Sequence, residues 1–201
     1  MSPGSPIILP RAILFDMDGT LTQPLLDFPR IKAEMGIGNR PILEALAELD
    51  EPARFEAQAV LQRHEVHAAA HSTLNAGCRD LLDHLAAMGI LAALITRNSL
   101  GSVRTVLDRH GLKLEVLVTR DDAPPKPSPL PLHLACRRLE IAPADAWMVG
   151  DGQYDIEAGV AAGIKTVWLS HGRQRAFPAT PWRIVRDLPE LAEVIKQCVS
   201  S

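Results

Sequence analysis

Two aspartates one residue apart, Asp16 and Asp18, end the run Ile13-Leu14-Phe15-Asp16-Met17-Asp18-Gly19-Thr20. An extended chain sends Asp16 and Asp18 to one side and Met17 to the other. Paired carboxylates at the end of a buried segment are costly unless a cation or a reaction uses them. Gly19 permits a sharp turn and brings its amide close to a ligand. Three later stretches carry further chemistry. Thr96-Arg97-Asn98 places a hydroxyl and free amides where a helix begins, a seat for an anion. Lys126 lies among four prolines in Asp121-Asp122-Ala-Pro-Pro-Lys-Pro-Ser-Pro, a stiff loop that can hold its ammonium as a fixed charge. Met148-Val-Gly-Asp151-Gly-Gln-Tyr-Asp155 repeats the first logic, with Asp155 about one helical turn beyond Asp151. Each set also has a plainer reading taken alone: a polar turn, a helix cap by Asn98 or Ser99, a linker lysine, an acid at a helix N-terminus.

The elements around these residues decide between the readings. Arg11–Phe15 reads as a short strand buried on both faces. From Cys78 onward, helices and strands alternate. Helices are expected over 78–88, 99–110, 129–139, 153–162 and 188–198, and strands over 90–95, 114–119, 146–149, 166–169 and 183–185. This order predicts an α/β fold, a doubly wound parallel sheet with a Rossmann-like core. Such sheets bind ligands outside the carboxyl ends of their strands, at the switch in strand order. Asp16 and Asp18, Thr96, Lys126, and Asp151 and Asp155 all fall at or beyond those ends. Four carboxylates in one cleft would repel strongly. One divalent cation plus Lys126 supplies three positive charges against four negative ones. Hard oxygen donors without His or Cys favour Mg²⁺. Such a cation, a fixed lysine and a hydroxyl at a helix N-terminus are the parts needed to hold a phosphoryl group.

In order, Asp16-Met-Asp18-Gly-Thr, Thr96, Lys126 in Lys-Pro-Ser-Pro, and Gly-Asp151-x-x-x-Asp155 resemble the four motifs of the haloacid dehalogenase superfamily. The resemblance covers about residues 11–172. It implies a phosphomonoester hydrolase working through an aspartyl-phosphate. On that resemblance Asp16 is the nucleophile, and Asp18 the general acid and then the base. Gly19, Thr96, Arg97, Asn98 and Lys126 seat the phosphate. Asp16, Asp18 (through its backbone carbonyl) and Asp151 hold Mg²⁺, and Asp155 supports Lys126 or a metal-bound water. Dehalogenase members lack an acid at the position of Asp18, so Asp18 argues for phosphate chemistry. Phosphoglycolate is a plausible substrate by the same resemblance. A phosphomutase, or a non-catalytic relative that binds phosphate compounds, is the alternative.

Residues 22–76 carry no strand pattern. A helical turn over 30–35, a helix opened by Pro41 and a longer helix from 50–52 to about His71 predict a small helical cap inserted into a core of 7–21 plus 77–201. On the longest helix, Phe55, Ala59, Val66 and Ala70 mark the apolar stripe, with His64, His67 and His71 on a solvated face. Arg30, Lys32 and Arg40 are candidates to meet an anionic leaving group, or are solvated surface charge. Arg173 and Arg175 fall near the cleft mouth. The chain of 201 residues has a formal charge of −3, which gives no footprint for nucleic acid or an anionic membrane. No apolar stretch is long enough to span a bilayer. The leading residues to about Pro6 read as a floppy lead-in and a poor secretion signal. Cys78, Cys136 and Cys198 are odd in number and far apart, which fits small buried residues in a reducing cytoplasm. The partner expected is a small phosphorylated metabolite; the sequence assigns no oligomeric state.

Overall fold

The computed structural model describes residues 8–199; the leading segment to Pro6 lies outside the described residues. Six parallel strands form one sheet: β1 Ala12–Phe15, β2 Leu91–Ile95, β3 Val116–Val118, β4 Ala146–Gly150, β5 Lys165–Leu169 and β6 Arg183–Val185. Their spatial order is β3-β2-β1-β4-β5-β6. The chain steps outward from β1 to β3, then returns to the other side of β1 as β4. The switch in direction therefore lies between β1 and β4, where a crevice opens at the carboxyl ends.

Eight helices flank or extend the sheet: α1 Phe28–Glu34, α2 Ile42–Glu48, α3 Ala53–His71, α4 Cys78–Ala87, α5 Leu100–His110, α6 Leu130–Arg138, α7 Gln153–Ala161 and α8 Leu188–Val199. Strand alternation divides the core in two. Ile13 and Phe15 face Leu81, Leu85, Val103 and Leu191 of α4, α5 and α8. Ala12 and Leu14 face Leu132, Ala135 and Ala158 of α6 and α7. Gly159 lets α7 lie close to the sheet, since a Cβ there would stand 2.0 Å from Thr166 Cγ2.

Helices α1 to α3 leave the sheet after β1 and return to α4. Their own apolar cluster joins Ile31, Ile37, Ile42, Ala45 and Leu61. The two connecting segments lie side by side: Thr22 and Leu74 form an antiparallel bridge. Asn75 Nδ2 donates to the carbonyls of Thr20 and Thr22 at 2.8 and 3.1 Å.

The sequence pattern chose the wrong face of α3. Phe55 and Val66 are 71% and 55% exposed, and Ala59 and Ala70 also face solvent. The buried face is Ala57, Leu61, Glu65, Ala68 and Ala69. Those positions keep helical spacing, but small alanines and a glutamate occupy them, so apolar size pointed to the opposite side. Of the histidines, His67 and His71 are exposed as expected and His64 is partly buried. His64 Nε2 lies 2.9 Å from Glu34 Oε2, while His67 and His71 stack at 4.2 Å between ring centroids. Pro41 is the N-cap of α2 rather than its first helical residue. Cys78 and Cys136 are buried and unpaired; Cys198 is only partly buried.

Candidate active site

Four loops converge on the crevice at the β1–β4 switch. The first leaves β1 at Asp16, whose backbone amide still donates to Val149 of β4 at 2.9 Å. The turn then doubles back: Thr20 and Thr22 amides donate to the Met17 carbonyl at 3.2 and 3.0 Å. Gly19 adopts φ +79°, a conformation L side chains rarely adopt. Its amide is turned to the Thr22 carbonyl at 2.8 Å, so what it provides is space: a Cβ there would stand 2.5 Å from the Asp151 carboxylate. Gly150 has the same function toward Asp155.

Lys126 is fully buried at the centre. Its ammonium donates to Asp16 Oδ1 at 2.7 Å, Asp155 Oδ1 at 2.6 Å and the Ile95 carbonyl at 2.6 Å. All three protons of the head group are therefore used. Burial alone would lower its pKa, but the Asp155 and Asp16 carboxylates outweigh that and raise it. Asp155 also caps α7, its Oδ2 accepting from the Gly152 amide at 3.0 Å. Carboxylate oxygens of Asp16, Asp151 and Asp155 lie within 4.8 Å of one another. Burial raises the pKa of Asp16 well above the usual carboxylate range, against the pull of Lys126. Burial also raises Asp151, whose Oδ2 accepts from Arg173 at 2.9 Å.

The Asp18 carboxylate is not part of that group of three and accepts from Asn98 Nδ2. Burial lifts its pKa to about 6, with the Asn98 bond acting in the opposite direction. Thr96 is buried, and its Oγ1 accepts from the Asn98 amide at 3.2 Å. These residues, with Lys126 and Asp155, line a cavity of 490 Å³ that extends under α1, α2 and α3. The proposed strand-end residues thus share one pocket, Gly19 contributing as a turn beside it. Arg97 lines the pocket too, but its Nη2 donates to both carboxylate oxygens of Glu44 of α2 at 3.0 and 2.8 Å, and its Nη1 to the Lys126 carbonyl. It also lies 4.4 Å from the centre of the Tyr154 ring. Arg175 lines the cavity, as the sequence suggested, and Arg173 is fixed on Asp151.

Glu65 lines the cavity and was missed by the sequence reading. Its side chain is 2% exposed and forms a two-pronged pair with Arg120. A charged residue at helical spacing with the buried Leu61 and Ala68 was the available signal, but its partner is 55 residues away.

A chain with these features has relatives. Residues 10–163 match the hydrolase family described as haloacid dehalogenase-like hydrolase. The phosphoglycolate phosphatase of Chromobacterium violaceum is 31% identical over 218 aligned residues, covering 92% of this chain and 96% of that protein. The N-acetylmuramic acid 6-phosphate phosphatase of Pseudomonas putida is 32% identical over 186 residues, covering 81% and 83%. A solved hydrolase from Pseudomonas syringae is similar in fold, with a TM-score of 0.79, 18% identity and coverage of 92% of this chain and 98% of that one.

Proposed function

Since the chain belongs to the haloacid dehalogenase-like hydrolase family, we propose that it is a Mg²⁺-dependent phosphomonoester hydrolase that works through an aspartyl-phosphate on Asp16. The observation that carries this reading is the placement of Asp16, Asp151 and Asp155 within 4.8 Å beside the buried ammonium of Lys126. The donor set suits the metal: all three candidate ligands are hard carboxylates, and among the described residues no His or Cys joins them. Asp16, Asp151 and the backbone carbonyl of Asp18 would hold the cation, with Asp155 in support. Bound there, Mg²⁺ would screen the charge between the nucleophile and the phosphoryl oxygens.

The chain's own residues carry the steps. A carboxylate oxygen of Asp16 attacks phosphorus as the bond to the leaving oxygen breaks. Asp18, protonated, gives its proton to that oxygen. Thr96 donates its hydroxyl to the phosphoryl group, and the Asn98 side chain sets the direction of the Asp18 carboxyl. Lys126 fixes Asp16 and adds positive charge where negative charge develops. Water then attacks phosphorus, Asp18 takes its proton, inorganic phosphate leaves and Asp16 is regenerated. Residues 22–76 act as a cap on the core of 7–21 plus 77–201, covering the cavity and excluding water. The substrate is a small phosphorylated metabolite, the class named by the phosphatase relatives. Unpaired cysteines suit a reducing, cytoplasmic setting, and no helix among the described residues is long and apolar enough to cross a membrane.

The test is release of phosphate from an aryl phosphate with Mg²⁺, and its loss on chelation and in Asp16→Asn. A second readout is thermal stability. Mg²⁺ should raise the melting temperature of the natural chain and do so much less in Asp151→Asn. Full activity in Asp16→Asn would remove the assigned nucleophile.

A further inference from the structure

The cavity beyond the carboxylates has walls unlike those needed for a two-carbon alcohol. Leu26, Phe28, Ile42, Leu43 and Leu61 supply an apolar surface, and the volume is 490 Å³. That is within the range, ~300–1,000 Å³, of pockets that enclose ligands many atoms larger. The charges facing this part of the cavity divide sharply. Arg97 is neutralised by Glu44, and Glu65 by Arg120. Lys32 and Arg175 remain, and neither forms an ion pair among the described residues. Lys32 donates to the Asn39 carbonyl at 3.3 Å and feels the Glu44 carboxylate only at longer range, and the Arg175 guanidinium lies 5.4 Å from the Phe177 ring. The other two cations considered for the leaving group are engaged elsewhere: Arg30 pairs with Glu34 at 2.9 Å and Arg40 with Glu48 at 3.2 Å. Phe28 and Lys32 stand one turn apart on α1, so both belong to one helical face, and both line the cavity. Phe28 is 50% exposed, so half of a large ring is left for a ligand to cover.

Resting on the phosphatase reading above, we infer that α1 selects the leaving group: Phe28 packs on a ring-sized, carbon-rich alcohol and Lys32 pairs with a carboxylate that the alcohol carries. The preferred substrate is then a phosphomonoester of a bulky hydroxy acid, larger than glycolate. The apolar wall holds the body of the molecule, and Lys32, a cation on that wall without a close ion pair, reads its acid group. Arg175, on the exposed loop after β5, lies on the core rather than on α1.

Three phosphates separate the possibilities: benzyl phosphate, its para-carboxylate and phosphoglycolate, each with Mg²⁺. The para-carboxylate should give the highest kcat/KM. Lys32→Met should lower its advantage over benzyl phosphate by roughly tenfold or more, the size of a lost hydrogen bond to a charged group. The loss should appear mainly in KM, and Lys32→Arg should recover most of it. Phe28→Ala should weaken both benzyl compounds relative to phosphoglycolate. Faster turnover of phosphoglycolate than of either benzyl compound would overturn the inference and leave the phosphatase reading standing. So would an unchanged acid-to-neutral ratio in Lys32→Met, or its collapse in Arg175→Met instead. No phosphate from any of the three would overturn both.

Discussion

Asp16 and Lys126 are separated by 110 residues in sequence and by 2.7 Å between carboxylate oxygen and ammonium nitrogen. The same ammonium reaches Asp155 at 2.6 Å, so one cation from the β3–α6 loop joins the end of β1 and the first turn of α7 into a single buried cluster. Removing one partner of a buried pair leaves an uncompensated charge, at a typical cost of about 3–5 kcal/mol. Lys126→Met should lose about that much in urea unfolding. Asp155→Asn in the same chain should restore part of it, because one of the stranded charges is then gone. Strict additivity of the two changes would show that the cluster is not one unit.

Asp18 makes the pH dependence specific. Its pKa is raised to about 6, chiefly by burial. As the general acid it must be protonated when the leaving oxygen departs. The competent fraction therefore falls as pH rises through about 6, and kcat/KM for a poor leaving group such as an alkyl alcohol should fall with it. The Asn98 side chain lowers this pKa by bonding the charged form. Asn98→Ala should accordingly move the limb to higher pH. Asp18→Asn should remove the limb and cost on the order of 10²–10⁴ in rate. A limb that stays in place in Asn98→Ala would separate it from Asp18.

The order of strands and helices was legible because β1, β2 and β4 are continuous apolar runs and α4, α5 and α7 are each followed by a glycine. Gly111 closes α5 at φ +59°, and Gly163 follows α7 at φ +70°. Parallel connectivity then placed Asp16, Thr96, Lys126 and Asp151 at one edge of the sheet without any knowledge of contacts. Side-chain direction was less accessible. Gly19 and Arg97 were expected to contact the phosphate, yet the amide of one bonds Thr22 and the guanidinium of the other grips Glu44. On α3 the error had a physical source. A buried glutamate is tolerated only because Arg120 answers it from a distant loop, and no local pattern reports such a partner.

Gly19 tests whether space, rather than a donated amide, is what the turn contributes. Alanine there would bring a Cβ within 2.5 Å of Asp151 and impose a left-handed backbone on a residue that disfavours it. Asp151 would have to shift, while the core strands remain untouched. The expected outcome is a modest loss of stability, about 1–3 kcal/mol, with a larger loss of Mg²⁺-dependent stabilisation. Thermal melts with and without Mg²⁺ measure both. An unchanged Mg²⁺ response would show that the Asp151 position is not critical.

Two arginines of the core each hold one glutamate of the helical segment, and they should differ in strength. Glu44 is 41% exposed at its side chain, so its pair with Arg97 is screened and should contribute about 0–1 kcal/mol. Glu65 is 2% exposed, and Arg120 approaches it from a site only 16% exposed. Arg120→Met would leave the Glu65 charge buried, costing about 3–5 kcal/mol, whereas Arg120→Met with Glu65→Gln should recover much of that. Because Glu65 borders the cavity, the single variant should also raise KM, as α3 loses one of its ties to the core. Arg97→Met should leave stability nearly intact and alter mainly KM, since Arg97 also lies against Tyr154 in the cavity wall. Double-mutant cycles on both pairs, read by urea unfolding and by KM, rank them. Equal coupling energies would contradict the burial argument.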